Sequence, residues 1–435
     1  MKGKTMTEFD RIIGYAGIKK ELIQIADMMK NADEYERLGV RLPYGLMLYG
    51  APGVGKTLMA NCLIEASGRN VFICRKDKPN GEFMQVIREM FEEAVANAPS
   101  IVFLDDMDKF ANTDTDHTYA EEYISVQSCI DQYKGRDVFV LATVNDIRML
   151  PSSLRRVGRF DRMIEVPTPN SKDAEKILEH YLSDKKAVKD INIEMLVRLM
   201  GGMSCASLET IINDAGVYAG YERAEYISMN HFLKSCLRTM FDTSIDSDDD
   251  VYFSSGESRK QRIATHETGH VVVSEVLFPG SVTLSAINEK EGSLGGVTSN
   301  FYDDETDMRW QKCRVITALA GMAAMEQQFG FSGAGSYKDI SGASSILRSM
   351  MENEGVAGFG LIGYGYHNSE ELNHLQETAN SALLNQYYLK AKEIIAMNQE
   401  FFSIVAGKLM SDGLITMDDI KGIRETCPIC NVELG

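Results

Sequence analysis

The sequence predicts an α/β domain built on a parallel sheet, then a small helical lid, then a separate domain that is mostly α-helical. Three observations lead there. Over residues 1–165 short apolar runs alternate with helical patterns. Over 171–240 the apolar runs stop and only helical periodicity remains. Over 242–258 the composition turns acidic and serine-rich before helical patterns resume. A chain of 435 residues is long enough for two or three domains, each with its own core.

In chain order, the candidate strands are Gly45–Tyr49, Asn70–Cys74, Ile101–Leu104, Val138–Thr143 and Met163–Val166. Their near-continuous apolar content is that of strands buried on both faces. Between them lies Glu82–Asn97, with Phe83, Val86, Ile87, Met90 and Phe91 at helical spacing. Helices follow at Asp173–Leu182, Glu194–Leu199 and Ser207–Ala219, the last with Ser207 as its N-cap. The run Asp246–Asp250 reads as part of a solvated linker. Beyond it come a helix over Arg259–Leu277, strand-like pieces at Val282–Asn288 and Gly296–Ser299, and further helices. The expected boundaries are 1–167 for the α/β domain, 168–243 for the lid, 244–257 for the linker, 258–426 for the helical domain and 427–435 for a tail.

Bulk composition excludes some functions. A net charge of −18 argues against a nucleic-acid partner, because a phosphate backbone needs a basic face. Eight scattered cysteines form no disulfide framework, which points to a reducing, cytoplasmic setting. The longest apolar runs fall well short of the ~18–20 residues that span a bilayer. The opening MKGKTMTEFD lacks the apolar segment of a signal peptide. The 24 methionines read as filling for irregular core gaps.

Within the first domain, Gly50–Thr57 reads Gly-Ala-Pro-Gly-Val-Gly-Lys-Thr, after a strand and before a helix. The glycines let backbone N–H groups curl around phosphates, and the helix N-terminus adds partial positive charge. Lys56 is placed to reach the β- and γ-phosphates of ATP, and Thr57 to hold Mg²⁺. The next strand ends in Asp105-Asp106, one carboxylate for the Mg²⁺ shell and one to orient water. The run VFVLATV ends on Asn145, whose amide can sense a γ-phosphate. Arg156 and Arg159 sit in LRRVGRFD. They form either a solvated basic turn or a pair reaching across a subunit boundary, where a guanidinium fork matches phosphate oxygens.

In the helical domain, residues 266–270 read His-Glu-Thr-Gly-His. On a helix, His266 and His270 share one face one turn apart, suited to one Zn²⁺. Glu267 beside them can accept a proton from the attacking water. A catalytic zinc needs a third protein ligand and an open position. Asp339, in SGAGSYKDI, is one candidate, and Glu326, Asp303, Asp304 and His367 are others. Asp339 also reads as a helix N-terminal carboxylate favoured by the dipole, so the residues alone leave the choice open.

GAPGVGKTL, NAPSIVFLDD, RRVGRFDR, HETGH and the segment around Asp339 together resemble the FtsH family of AAA-type ATP-dependent zinc metalloproteases, over almost the whole chain. The resemblance implies an AAA+ domain with a helical lid, followed by a zinc metallopeptidase domain. It assigns Pro52, Gly53, Val54, Gly55, Lys56, Thr57 and Leu58 to the phosphate loop and Ile13 and Gly14 to adenine contact. It gives Asp105 to Mg²⁺, Asp106 to the catalytic carboxylate position and Asn145 to sensor 1. Arg156 and Arg159 match arginine fingers donated to a neighbour, which implies a ring, by analogy a homohexamer. His266, His270 and Asp339 match the zinc ligands, and Glu267 the general base. The implied cofactors are Zn²⁺, ATP and Mg²⁺, and the implied partners are protein or peptide substrates.

Departures from the family pattern add further expectations. Its membrane-spanning helices have no counterpart in this sequence, so the expectation is either a soluble relative or a piece from which the anchor was removed. Asp106 replaces a glutamate one methylene longer, and a misplacement of about 1 Å costs on the order of a hundredfold in rate. Pro79-Asn80-Gly81 stands where the family has an aromatic pore loop, with Phe83 the nearest aromatic. Sensor 2 is expected to be absent, with Ala206 at the matching position, as is usual in the family. The Pro79-Asn80 loop and Asp106 favour an alternative in which the ring is regulatory or chaperone-like rather than a processive unfoldase. Cys427-Pro428-Ile429-Cys430 is half a zinc knuckle and reads as a loose, reduced tail, and His117 reads as a surface-loop residue.

Overall fold

The apolar runs of residues 45–165 form one parallel sheet. The structure, a computed structural model, describes residues 7–76, 80–111, 120–156, 158–241, 258–287, 296–299, 308–331, 336–356 and 370–432. The acidic linker, Pro79, His117, Asp303, Asp304 and His367 lie outside the described residues. The chain divides into two units. The first is 1–189 with 200–217 and 225–227, and the second is 190–199, 218–224 and 228–435.

The first unit begins with α1 (Ala16–Lys30) and α2 (Ala32–Glu36). Strands and helices then alternate: β1 (Gly45–Tyr49), α3 (Lys56–Ser67), β2 (Asn70–Cys74), α4 (Asn80–Ala96), β3 (Ser100–Leu104), α5 (Glu121–Gln132), β4 (Val138–Val144), β5 (Arg162–Glu165) and α6 (Ser171–Leu182). The sheet order is β2-β3-β4-β1-β5, parallel at every pairing. β1, β3 and β4 are buried along nearly their whole length, while the edge strands β2 and β5 are mixed. Helix α4 buries Phe83, Ile87, Phe91 and Ala94 in a core shared with Val102, Leu104 and Val140. Each large side chain so buried stabilises the fold by about 1.5–3 kcal/mol relative to exposure. Phe83 packs edge-on against Phe110, ring centroids 4.9 Å apart, so it belongs to the core and presents no surface for gripping a substrate.

After β5 come α7 (Ile193–Leu199), α8 (Cys205–Tyr221) and α9 (Met229–Phe241). The expected N-cap at Ser207 is corrected. α8 starts two residues earlier, and Ser204 Oγ accepts the Ser207 N–H at 3.2 Å. The capping serine is therefore Ser204, and Ser207 lies in the first turn.

The second unit contains α10 (Arg259–Leu277), β6 (Val282–Ala286), β7 (Gly296–Ser299), α11 (Met308–Phe329), α12 (Tyr337–Glu354), α13 (Glu370–Met397), α14 (Gln399–Asp412), β8 (Leu414–Thr416) and α15 (Met417–Thr426). The three strands pair antiparallel in the order β7-β6-β8. Helix α10 is buried on every side from Ile263 to Val276. Its polar side chains therefore need partners inside the protein. Thr268 Oγ1 donates to the Ala264 carbonyl at 2.6 Å. Glu275, fully buried, accepts from the N–H groups of Gly280 and Val282 at 2.9 and 3.0 Å and from Arg424 of α15 at 2.8 Å.

The chain end is not loose as expected. Cys427 packs into the core with Ile429 and Val432 alongside. The Cys430 N–H donates to Asn398 Oδ1 at 2.7 Å, and Asn398 Nδ2 donates back to the Cys430 carbonyl. No helix among the described residues is long and apolar enough to cross a membrane.

Candidate active site: a phosphate cradle and a His-His-Asp cluster

In the first unit, the ends of β1, β3 and β4 converge on one cavity of about 500 Å³. The loop after β1 reaches α3 through Gly53 and Gly55, with φ of 79° and 98°, a backbone that side chains with a Cβ rarely adopt. Pro52, Gly53, Val54, Gly55, Lys56, Thr57 and Leu58 all line the cavity, as do Ile13, Asp106 and Asn145. Gly14 (φ 72°) does not line it. It packs against Asp173, where a Cβ would stand 2.9 Å from that side chain.

Lys56 Nζ donates to the carbonyls of Gly50 and Ala51 and to Asn145 Oδ1, each at 2.8 Å. Burial pushes its ammonium below the ordinary lysine value, against the pull of Asp106 and Asp108. Asp105 accepts from Thr57 at 3.2 Å, from Thr143 at 2.7 Å and from Arg75 at 2.9 Å. Asp106 takes a left-handed backbone (φ 53°) and pairs with Lys109 at 2.6 Å. Burial disfavours its charge, but Lys109, Asn145 and Lys56 outweigh that and hold its carboxyl below the usual range. Nδ2 of Asn145 donates to Asp106 Oδ1 at 3.3 Å. One amide thus joins the phosphate-loop lysine to the second carboxylate.

Arg156 and Arg159 do not line this cavity. Arg156 is exposed. Arg159 is held within its own chain by Asp131 at 2.7 Å and the Ser153 carbonyl. Ala206 does line the cavity, its N–H donating to the Gly53 carbonyl at 3.0 Å. Sequence reasoning missed Thr143, Arg75, Tyr15, His180 and Cys205. Thr143 was detectable as the lone polar residue inside an apolar strand. Tyr15, His180 and Cys205 enter the cavity from separate elements, which no local pattern reveals.

In the second unit, His266 and His270 project from one face of α10 toward the first turn of α12, which carries Asp339. Asp339 Oδ2 lies 3.0 Å from His266 Nε2 and 3.7 Å from His270 Nε2, and the two Nε2 atoms are 3.2 Å apart. Two imidazole nitrogens and a carboxylate oxygen are a zinc donor set, and ligands at about 2.0–2.1 Å from a tetrahedral ion stand roughly 3.3–3.4 Å from one another. The three observed separations bracket that edge, so the residues fit the ion.

Among the described residues no other group of three or more His, Cys, Asp or Glu converges in this way. Glu326 is not part of this group; its carboxylate is engaged by Tyr388 and by Lys392 at 3.2 Å. Burial lowers the His266 imidazole. Burial also works against charge on His270, but hydrogen bonding to Asp339 and the charge of Glu267 raise it to about 8. The same histidines hold Asp339 well below the usual carboxylate range despite its burial. Glu267, almost wholly inaccessible, is pushed up to about 8 by burial.

Comparison with known proteins agrees with this geometry. Residues 46–168 match the ATPase family associated with various cellular activities (AAA), and residues 254–423 match peptidase family M41. The chain is 28% identical over 442 residues to the ATP-dependent zinc metalloprotease FtsH 2 of Sphaerobacter thermophilus, covering 96% of this chain and 66% of that protein. It is 28% identical to the FtsH of Ureaplasma parvum, covering 97% and 61%. It is also 28% identical to the FTSH 11 chloroplastic/mitochondrial protease of Arabidopsis thaliana, covering 97% and 53%. The chain therefore spans less than two thirds of the length of these relatives.

Proposed function

We propose, from the premise that this chain belongs to the FtsH family through its AAA and peptidase M41 domains, that it is an ATP-dependent zinc metalloprotease acting on protein substrates. The observation that carries the reading is the convergence of His266, His270 and Asp339 beside a buried glutamate, in a chain whose other unit holds a nucleotide-phosphate cradle. His266, His270 and Asp339 hold the zinc, which when bound supplies a Lewis acid to the scissile carbonyl. Glu267 accepts the proton of the attacking water and passes it to the leaving amine.

In the first unit, Gly53, Gly55 and Lys56 hold the phosphates of ATP, and Thr57 and Asp105 the shell of its Mg²⁺. Asp106 orients the water that hydrolyses ATP, and Asn145 reads the γ-phosphate. Ile13 and Gly14 form the adenine end. Arg156 and Arg159 act on the nucleotide of a neighbouring copy in a homohexamer, for which Arg159 first gives up its bonds to Asp131 and Ser153. The lid over 168–243, the linker over 244–257 and a cytoplasmic location complete the proposal. The alternative of a purely regulatory ring draws no support from the comparisons.

The test is degradation of an unstructured and a folded protein with ATP, with ADP and with a chelator. The reading predicts loss of folded substrate only with ATP and metal. Glu267→Gln cuts cleavage by about 10²- to 10⁴-fold and spares ATP turnover, and Lys56→Ala abolishes ATP turnover. Cleavage that survives metal removal refutes the assignment.

A further inference from the structure

Helix α11 contributes none of the three proposed zinc ligands, yet it sets the position of two of them. The carbonyl of Thr317 accepts a hydrogen bond from His270 Nδ1 at 2.7 Å. That bond places a proton on His270 Nδ1 and turns Nε2 toward Asp339. His266 is placed by packing. Its ring lies instead against Gly321, where a Cβ would stand 2.4 Å from Cε1 and 2.6 Å from both ring nitrogens.

The close approach is mutual. A Cβ on Gly269 of α10 would stand 2.5 Å from the Ala320 carbonyl oxygen and 2.7 Å from the Ala324 Cβ. Thr317, Ala320, Gly321 and Ala324 share one face of α11 by their spacing. Glycine is a poor helix former, so its place inside a 22-residue helix calls for a reason. The imidazole of His266 supplies one.

We propose that Gly321 is a positioning residue for His266. A bare α-carbon there lets the ring lie flat on α11 at the angle that brings its Nε2 to the Nε2 of His270 and the Oδ2 of Asp339. The proposal rests on the zinc reading above. A Cβ contact does not fall below 3.0 Å, so alanine drives the ring back by about 0.6 Å, beyond the ~0.2 Å over which zinc–ligand distances vary.

The experiment compares the full-length wild type with Gly321→Ala. Both are stripped of metal and titrated with zinc against a chromophoric chelator, and the metal-free melting temperatures are recorded. The expected result is zinc affinity about 10- to 100-fold weaker, with an altered cobalt(II) spectrum. Equal affinity overturns the proposal. The second arm repeats the substitution after His266→Ala has removed the ring. The metal-free protein then tolerates Gly321→Ala better than it does with the histidine present. An equal melting loss in both backgrounds places the clash on the backbone and also overturns the proposal. If the wild type itself takes up no zinc, the metallopeptidase reading fails, and the melting arm alone decides whether Gly321 holds the ring.

Discussion

Thr143 joins the two carboxylates at the phosphate cradle, and replacing it with valine isolates that role. Its fully buried hydroxyl donates to Asp105 Oδ1 at 2.7 Å and accepts the Asp106 N–H at 2.8 Å. Valine keeps the shape and removes both bonds, so no cavity is opened. The stranded buried N–H costs about 1–3 kcal/mol and the lost bond to a charged carboxylate about 1.5–3 kcal/mol. Asp105 retains Thr57 and Arg75 as donors, which favours the lower half of that range, near 3 kcal/mol. For a unit of roughly 200 residues this is a fall of about 6–12 °C in melting temperature. The assay is scanning calorimetry of the transition that Mg·ADP shifts upward. Thr143→Ser, which keeps the hydroxyl and loses a methyl, serves as the control. A valine variant melting within about 2 °C of wild type, with the serine variant lower, refutes the reasoning.

Other outcomes follow from the same geometry. Arg424→Ala leaves the fully buried Glu275 carboxylate with two backbone donors, and the second unit loses about 3–5 kcal/mol, read as a lower unfolding midpoint in denaturant. Arg75 is 64% exposed and competes with a cation for Asp105, so Arg75→Ala lowers the Mg²⁺ midpoint for ADP binding by about 1.4- to 5-fold, the reach of an exposed pair of ~0.2–1 kcal/mol. An unchanged or higher midpoint in that titration removes Arg75 from the competition. Glu267→Gln reduces cleavage by about 10²- to 10⁴-fold while zinc content, measured by atomic absorption, stays at wild-type level. Chelation abolishes cleavage and lowers the melting of the second unit alone, while ADP affinity measured by calorimetry holds.

Much of this was legible in the residues. The first two strands were placed residue for residue at Gly45–Tyr49 and Asn70–Cys74, and α10 at Arg259–Leu277, because apolar runs and helical histidine spacing are local signals. Strand order was not legible, since which strand neighbours β1 depends on crossovers that no single segment records. Asp339 could not be chosen over Glu326 from residues alone. The decision rests on the fold bringing Asp339, 69 residues beyond His270, against both histidines. The Cys427–Cys430 end looked loose because its anchor, Asn398, lies 32 residues from Cys430. Ser207 and Ser204 are equally good caps by residue type, and only the start of α8 at Cys205 decides for Ser204.

Asn145 is engaged at both ends of its amide, oxygen to Lys56 and nitrogen to Asp106. A polyphosphate that draws the lysine away releases one end of this tether. The amide is then able to turn about its other anchor, so occupancy at the loop becomes rotation beside the Asp106 carboxylate. Charge, more than a tally of bonds, governs that exchange, since Lys56 already has three acceptors. Triphosphate affinity therefore falls more steeply with added salt than monophosphate affinity.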